Sequence, residues 1–204
     1  LPDISLYGHL KATSAIAVCL EKGLTDDELD EFLNDQRVLE KPIALLVKGD
    51  LSGIQKFIYQ ITRPETDNSF EHVAKRLRGR SFYLSLLGDI ITDYIVRSLG
   101  LSSANIVYEG GGGFNILIPK DPNSRIIIDT TINNINKWLL EQFNGSLSLS
   151  FSLIDVFPND FSDMRHLFER QNDMLQKEKG RKWSQFVLDD SFHLPNRKQY
   201  HVCR

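Results

Sequence analysis

The stretch NIVYEGGGGFNILIP, residues 105–119, sets four consecutive glycines between two short apolar runs. Ile106, Tyr108, Phe114, Ile116 and Ile118 fall on every second position, the period of a strand that turns one face to a core. Two such runs joined by a glycine tract fold back on each other as an antiparallel hairpin. A hairpin turn uses one or two glycines, and glycine in or beside a strand loses backbone freedom and packs nothing. Four glycines therefore ask for a second reason. The spacing predicts that Gly110 and Gly111 make the turn and that Gly112 and Gly113 carry bare backbone beyond it.

The hairpin sits in the middle of a readable series of elements. Residues 3–22 form an amphipathic helix with Leu6, Leu10, Ala17 and Leu20 near helical spacing, followed by an acidic helix opened by a Thr25–Glu28 capping box. The run Ile43–Val47, entered by a proline and left through Lys48-Gly49-Asp50, reads as a strand buried on both faces. A helix carrying Ile54, Phe57, Ile58 and Ile61 ends before Pro64. Residues 70–99 hold the longest helical pattern, with Leu77, Leu84, Leu87, Ile91, Tyr94 and Ile95 recurring at three and four. After the hairpin come a helix closed by Gly145, the alternating strand SLSLSFSLIDVF, and a polar helix from about Phe161 to Lys179. The central order strand, helix, strand, strand, helix, strand predicts an α+β fold: a ferredoxin-like β-α-β-β-α-β antiparallel sheet with helices on one side.

Composition narrows the function classes. Hydrophobic residues make up 41% of the 204, enough for a core, and the net charge of −3 supplies no global basic field for duplex DNA. Two distant cysteines, Cys19 and Cys203, make no disulfide framework, and no run is long and apolar enough for a membrane span, so a cytoplasmic protein without membrane association is expected. The chain opens at Leu1 without methionine and stops at HVCR, and it reads as a segment of something longer.

Palm-type nucleotidyl transfer by two metals needs an acid at the end of the first strand and one or two more on the hairpin between the second and third. Asp50 fills the first position, and glycines fill the second. One reading of the tract is a loose turn with no ligand; the other is backbone that approaches a phosphate closely. GDLSGIQKF, with Gly49, Asp50, Ser52 and Gly53, runs from strand into helix and could offer N–H groups to an anion, although Ser52 equally suits a helix cap. Lys75, Arg76, Arg78 and Arg80 cluster early in the long helix, either to grip RNA or triphosphate or as a solvated face. His9 and His72 stand without partners at ligand spacing.

VKGDLSGIQKFIYQI, AKRLRGRSFYLSLLGDIITDYI and ANIVYEGGGGFNILIP, in that order and spacing, resemble the first palm domain of the large subunit of type III CRISPR effector complexes, most closely its Csm-type form. PDISLYGHLKATSAIA resembles the end of the preceding HD nuclease domain, with Gly8 where the family usually has aspartate, and QYHVC resembles the approach to a zinc-binding insert. The resemblance implies three parts: 1–40, the last helices of an HD-type domain and a linker; 41–157, the first palm, degenerate and GGDEF-like; and 158–204, a helical extension leading to a zinc-binding insert. It implies a subunit of antiviral defence that makes cyclic oligoadenylates from ATP when target RNA binds, with the catalytic GG-D-D hairpin in a second palm, and an HD domain that in many members cleaves single-stranded DNA. Neither the GG-D-D hairpin nor the His-Asp pair is in this sequence.

The expected cofactors are ATP, Mg²⁺ or Mn²⁺ in the whole subunit with Asp50 as candidate ligand, and Zn²⁺ through Cys203. The expected partners are the second palm, other subunits of the complex, CRISPR RNA and target RNA. Nucleotide contacts are expected at Gly49, Asp50, Ser52, Gly53 and Gly110–Gly113, with RNA or phosphate contacts at Lys75, Arg76, Arg78 and Arg80, and no catalytic residue in this segment. Two rivals share the fold: an RNA-binding module, which would stack bases on Tyr108 and Phe114, and a degenerate diguanylate-cyclase-like sensor or scaffold domain.

Overall fold

A computed structural model of the chain describes residues 5–34, 41–59, 70–181 and 183. Four strands form one antiparallel sheet in the order β2-β3-β1-β4. They are β1 (Ala44–Ser52), β2 (Ile106–Gly110), β3 (Gly113–Pro119) and β4 (Ser148–Val156). β1 lies at the centre, paired with β3 on one side and β4 on the other, as a strand buried on both faces should. It runs well past Val47, where its apolar stretch ends, because Lys48 through Ser52 find backbone partners on β4.

The helices are α1 (Leu6–Gly23), α2 (Asp26–Asn34), α3 (Ile54–Tyr59), α4 (Phe70–Ser98), α5 (Pro122–Phe143) and α6 (Met164–Lys179). α4 joins β1 to β2 and α5 joins β3 to β4, so each links two parallel strands across the one inserted between them: the double split β-α-β of a ferredoxin-like sheet. Leu45, Val47, Phe114, Ile116, Ile118 and Leu149 point to this helix layer and meet Leu84, Leu87, Ile91 and Ile95 of α4 and Ile128, Ile132 and Leu139 of α5.

The helices are not confined to one side. At one end of the opposite face, Ala44, Leu46, Leu117, Ile154 and Val156 form a second apolar patch, and α1 and α6 cover it with Ala15, Cys19 and Leu167. α1 therefore buries Ala15 and Cys19 and leaves Leu6 and Leu10 exposed, at 73% and 55%. The apolar spacing misassigned that helix's inner face, because it packs on the sheet through its small residues.

Other local departures have local causes. A bulge between Ile106 and Tyr108 sets Ile106 opposite Ile116 but Tyr108 opposite Asn115, which breaks the alternation expected along β2. α5 ends one step earlier than its glycine suggests, because Asn144 already takes the left-handed conformation at φ 48°. A short 3-10 turn, Pro158–Ser162, precedes α6, whose N-cap is Asp163. The edge of β4 is tied to α5 by Asn136, whose side chain donates to the Leu149 carbonyl at 2.9 Å and accepts its N–H at 2.8 Å.

Candidate functional site

Cross-strand partners share a face, so the register fixes what surrounds Asp50. On the face away from α4 and α5, the apolar rows give way to polar ones. Lys48 stands between Asn115 and Ser152, Asp50 between Gly113 and Ser150, and Ser52 beside Ser148. Asn115, Ser148, Ser150 and Ser152 are buried, and the side chains of Asn115 and Ser148 each hold an oxygen without a hydrogen-bond partner among the described residues. The end of β1, the base of the hairpin and three alternate serines of β4 thus make one polar floor.

α6 runs over part of that floor. Its Gln171 donates to the Leu46 carbonyl at 3.2 Å, and its main-chain oxygen there accepts from Ser152 at 3.2 Å. Lys48 donates to Asn172, and the Lys179 ammonium lies 2.8 Å from Asp50 Oδ2. No group of three or more His, Cys, Asp or Glu able to hold a metal occurs among the described residues.

The glycines divide by geometry. Gly111 and Gly112 have φ of 62° and 86°, the two positive central angles of a type I′ turn, and Gly110 pairs with Gly113 below them. The turn is therefore made by the middle pair, not by Gly110 and Gly111, because right-handed strand twist favours a two-residue primed loop. Gly112 faces α3, where a Cβ would fall 2.3 Å from Ile54 Cδ1. Only Gly113 looks toward the acid: a Cβ there would sit 3.8 Å from Asp50 Oδ1, with no contact closer than 3.5 Å.

Gly49 faces the core, and a Cβ would lie 2.1 Å from Phe114 Cζ, so this glycine is the space that the Phe114 ring fills. Gly53, at φ 97°, presses against the Ser146 carbonyl, 2.0 Å from where a Cβ would be. Both shape the chain around the floor rather than line it.

The four cations do not converge on it. Arg80 donates to the carbonyls of Phe57 and Ile58 at 3.2 and 3.3 Å and lies over the Phe57 ring, 5.9 Å from its centroid, tying the end of α3 to α4. Lys75, Arg76 and Arg78 are exposed on the first turns of α4. The hairpin meets α4 near Gly88, about 12 Å along the axis from Arg80 at 1.5 Å per residue. His9 is exposed, Cys203 lies outside the described residues, and the His72 side chain is likewise not described. Cys19 is a packing residue: burial pushes its thiol up to about 12, partly offset by the Asn105 amide 3.8 Å away.

Sequence reasoning passed over Lys48, Asn115, Asn172 and Lys179. The alternating serines of SLSLS were the available signal, since every second residue of a strand meets the same surroundings. Nothing local marks Lys179.

Sheet order, split connections and a site at the strand-hairpin junction define a ferredoxin-like palm. A family model described as Csm1 subunit domain B matches residues 43–198, and the chain belongs to that family. The CRISPR system single-strand-specific deoxyribonuclease Cas10/Csm1 (subtype III-A) of Methanocaldococcus jannaschii is 34% identical over 205 residues, covering 91% of this chain and 24% of that protein. A Csm1-Csm4 cassette in complex with pppApA superposes with a TM-score of 0.73 at 30% identity, over 91% of this chain and 26% of the other. A Csm1-Csm4 cassette in complex with one ATP gives 0.70 at 28% identity, over 91% and 25%. The chain spans about a quarter of the length of these relatives. Among the described residues, no helix is long and apolar enough to cross a membrane.

Proposed function

We propose that this chain is the first, degenerate palm of a type III CRISPR effector large subunit, and that it binds ATP on the polar floor beside Asp50. It forms half of a composite site that makes cyclic oligoadenylates, the catalytic GG-D-D hairpin coming from a second palm. The observation that carries this reading is the pairing of Asp50 with Gly113. The strand-end acid of a palm is present, and the hairpin position that looks at it has no side chain. One carboxylate cannot clamp two metals, so the chain by itself transfers no nucleotidyl group. It can still bind: bare backbone at Gly110 and Gly113, with Asp50 and Ser52 beside it, lets a ribose or phosphate approach closely.

A second palm also has a surface to cover. Phe82, Leu86, Ile90 and Tyr94 recur every four residues along the outer face of α4 and are 71%, 45%, 56% and 50% exposed. Solved relatives in complex with Csm4, ATP and pppApA support the wider setting of other effector subunits and adenine nucleotides. CRISPR RNA and target RNA enter through the whole subunit. The RNA-module rival loses one of its two stacking residues, because Phe114 is 3% exposed and faces the helices.

The test is Gly113→Ala in the whole subunit. Its φ lies outside the left-handed region and its methyl meets only ordinary contacts, so the melting temperature should hold. A methyl against bound nucleotide shifts it, and a displacement of about 1 Å costs on the order of 100-fold in rate. Unchanged melting with reduced ATP binding and oligoadenylate yield is expected. Unchanged binding and yield would refute the nucleotide reading.

A further inference from the structure

We infer that Lys179 is the resident cation of this half-site and that it closes Asp50 to divalent metal. The inference deepens the proposed function: it assigns all metal of the composite site to the other palm.

A Mg²⁺ or Mn²⁺ held by Asp50 would need carboxylate oxygen at about 2.1 Å and further oxygen ligands around it. The surroundings fit an ammonium instead. Asp50 Oδ2 accepts from Lys179 Nζ at 2.8 Å. The position from which a second carboxylate could share an ion is Gly113, whose Cβ would lie 3.8 Å from Asp50 Oδ1. On the same face, Lys48 is two residues from Asp50, and its ammonium donates to Asn172 of the same helix that carries Lys179. A carboxylate already paired with an ammonium is a poor site for a divalent cation, because the ion would have to displace or sit beside a like charge.

Lys179 is not a free surface lysine. Its side chain is 31% exposed, and α6 is anchored on the sheet by buried Leu167 and Gln171 and by the Lys48–Asn172 bond. An exposed ion pair contributes little, but here the backbone that carries the ammonium is already fixed by packing, so its ordering cost is largely met by other contacts.

Mn²⁺ alone is the probe, titrated into the 204-residue chain without nucleotide and followed by the electron paramagnetic resonance of the free ion. Wild type and Asp50→Asn should bind Mn²⁺ indistinguishably. Gly113→Asp supplies the second carboxylate, and adding Lys179→Met to it should tighten Mn²⁺ binding by about tenfold or more, since affinity follows the count and charge of ligands. Mn²⁺ binding by wild type that Asp50→Asn abolishes would overturn the inference, and so would equal affinities of Gly113→Asp with and without Lys179→Met. If the Gly113→Asp chains fail to fold, the comparison of wild type with Asp50→Asn still decides. Because no nucleotide is present, the outcome is independent of the Gly113→Ala test of ATP binding.

Discussion

Three glycines of this chain look alike in sequence and should behave in opposite ways when given a methyl group. Gly49→Ala drives a methyl into the Phe114 ring, 2.1 Å from Cζ, and should destabilise by about 1–3 kcal/mol as the core overpacks. Gly53→Ala meets a backbone carbonyl at 2.0 Å and must also hold φ at 97°, so it should cost more than about 2 kcal/mol. Gly79 lies inside α4 with none of the described residues within 4 Å of an added Cβ, and Gly79→Ala should stabilise by about 0.5–1 kcal/mol through helix propensity. Urea denaturation midpoints of the three variants give the signs, and a loss at Gly79 or a gain at Gly53 would contradict the described packing. Sequence alone offered Gly49 and Gly53 as nucleotide contacts beside Asp50. It could not show that Gly49 serves a ring sixty-five residues away, because that neighbour is set by strand register.

At the scale of elements, the capping box expected at Thr25 is present in both directions. The Thr25 N–H donates to Glu28 Oε2 at 2.9 Å, and the Glu28 N–H donates to Thr25 Oγ1 at 3.3 Å. The Thr25 N–H bond holds the Glu28 carboxyl below the usual carboxylate range. A depressed folded value means that the stabilisation is fully present above the unfolded value and disappears as pH falls through the folded one. α2 should therefore fray first on acidification, and Glu28→Gln should remove that pH dependence. Thr25→Ala should cost α2 about 1 kcal/mol. Because α2 buries no residue, the loss should appear as faster amide exchange at Leu29 and its neighbours and leave β1 unchanged. This element was legible because a cap is a local device, four residues long. The inner face of α1 was not, because Ala15 and Cys19 are chosen by the sheet they meet.

For the whole molecule, sheet order predicts a gradient of exchange. β1 has partners on both sides, so the amides of Leu45–Val47 should be among the slowest. Among the described residues β2 pairs on one side only, and it is bulged and largely exposed, so Val107–Glu109 should exchange much faster. Equal protection of the two strands would contradict the order β2-β3-β1-β4.

The sequence by itself determined the number, kind and order of the central elements, and from them the palm and its carboxyl-poor hairpin. Hydrophobic period, caps and turn residues act over a few positions, and each can be read where it stands. The tertiary structure decided what those elements do to one another. Register set Gly113 opposite Asp50 and the Phe114 ring over Gly49, and twist made Gly111 and Gly112 the turn. Packing carried α6 back across the sheet, so that Lys179 reaches Asp50 across 129 residues of chain and Arg80 is taken up by the end of α3. An ion pair between groups that far apart leaves no trace in either segment, since its geometry belongs to the fold that brings them together.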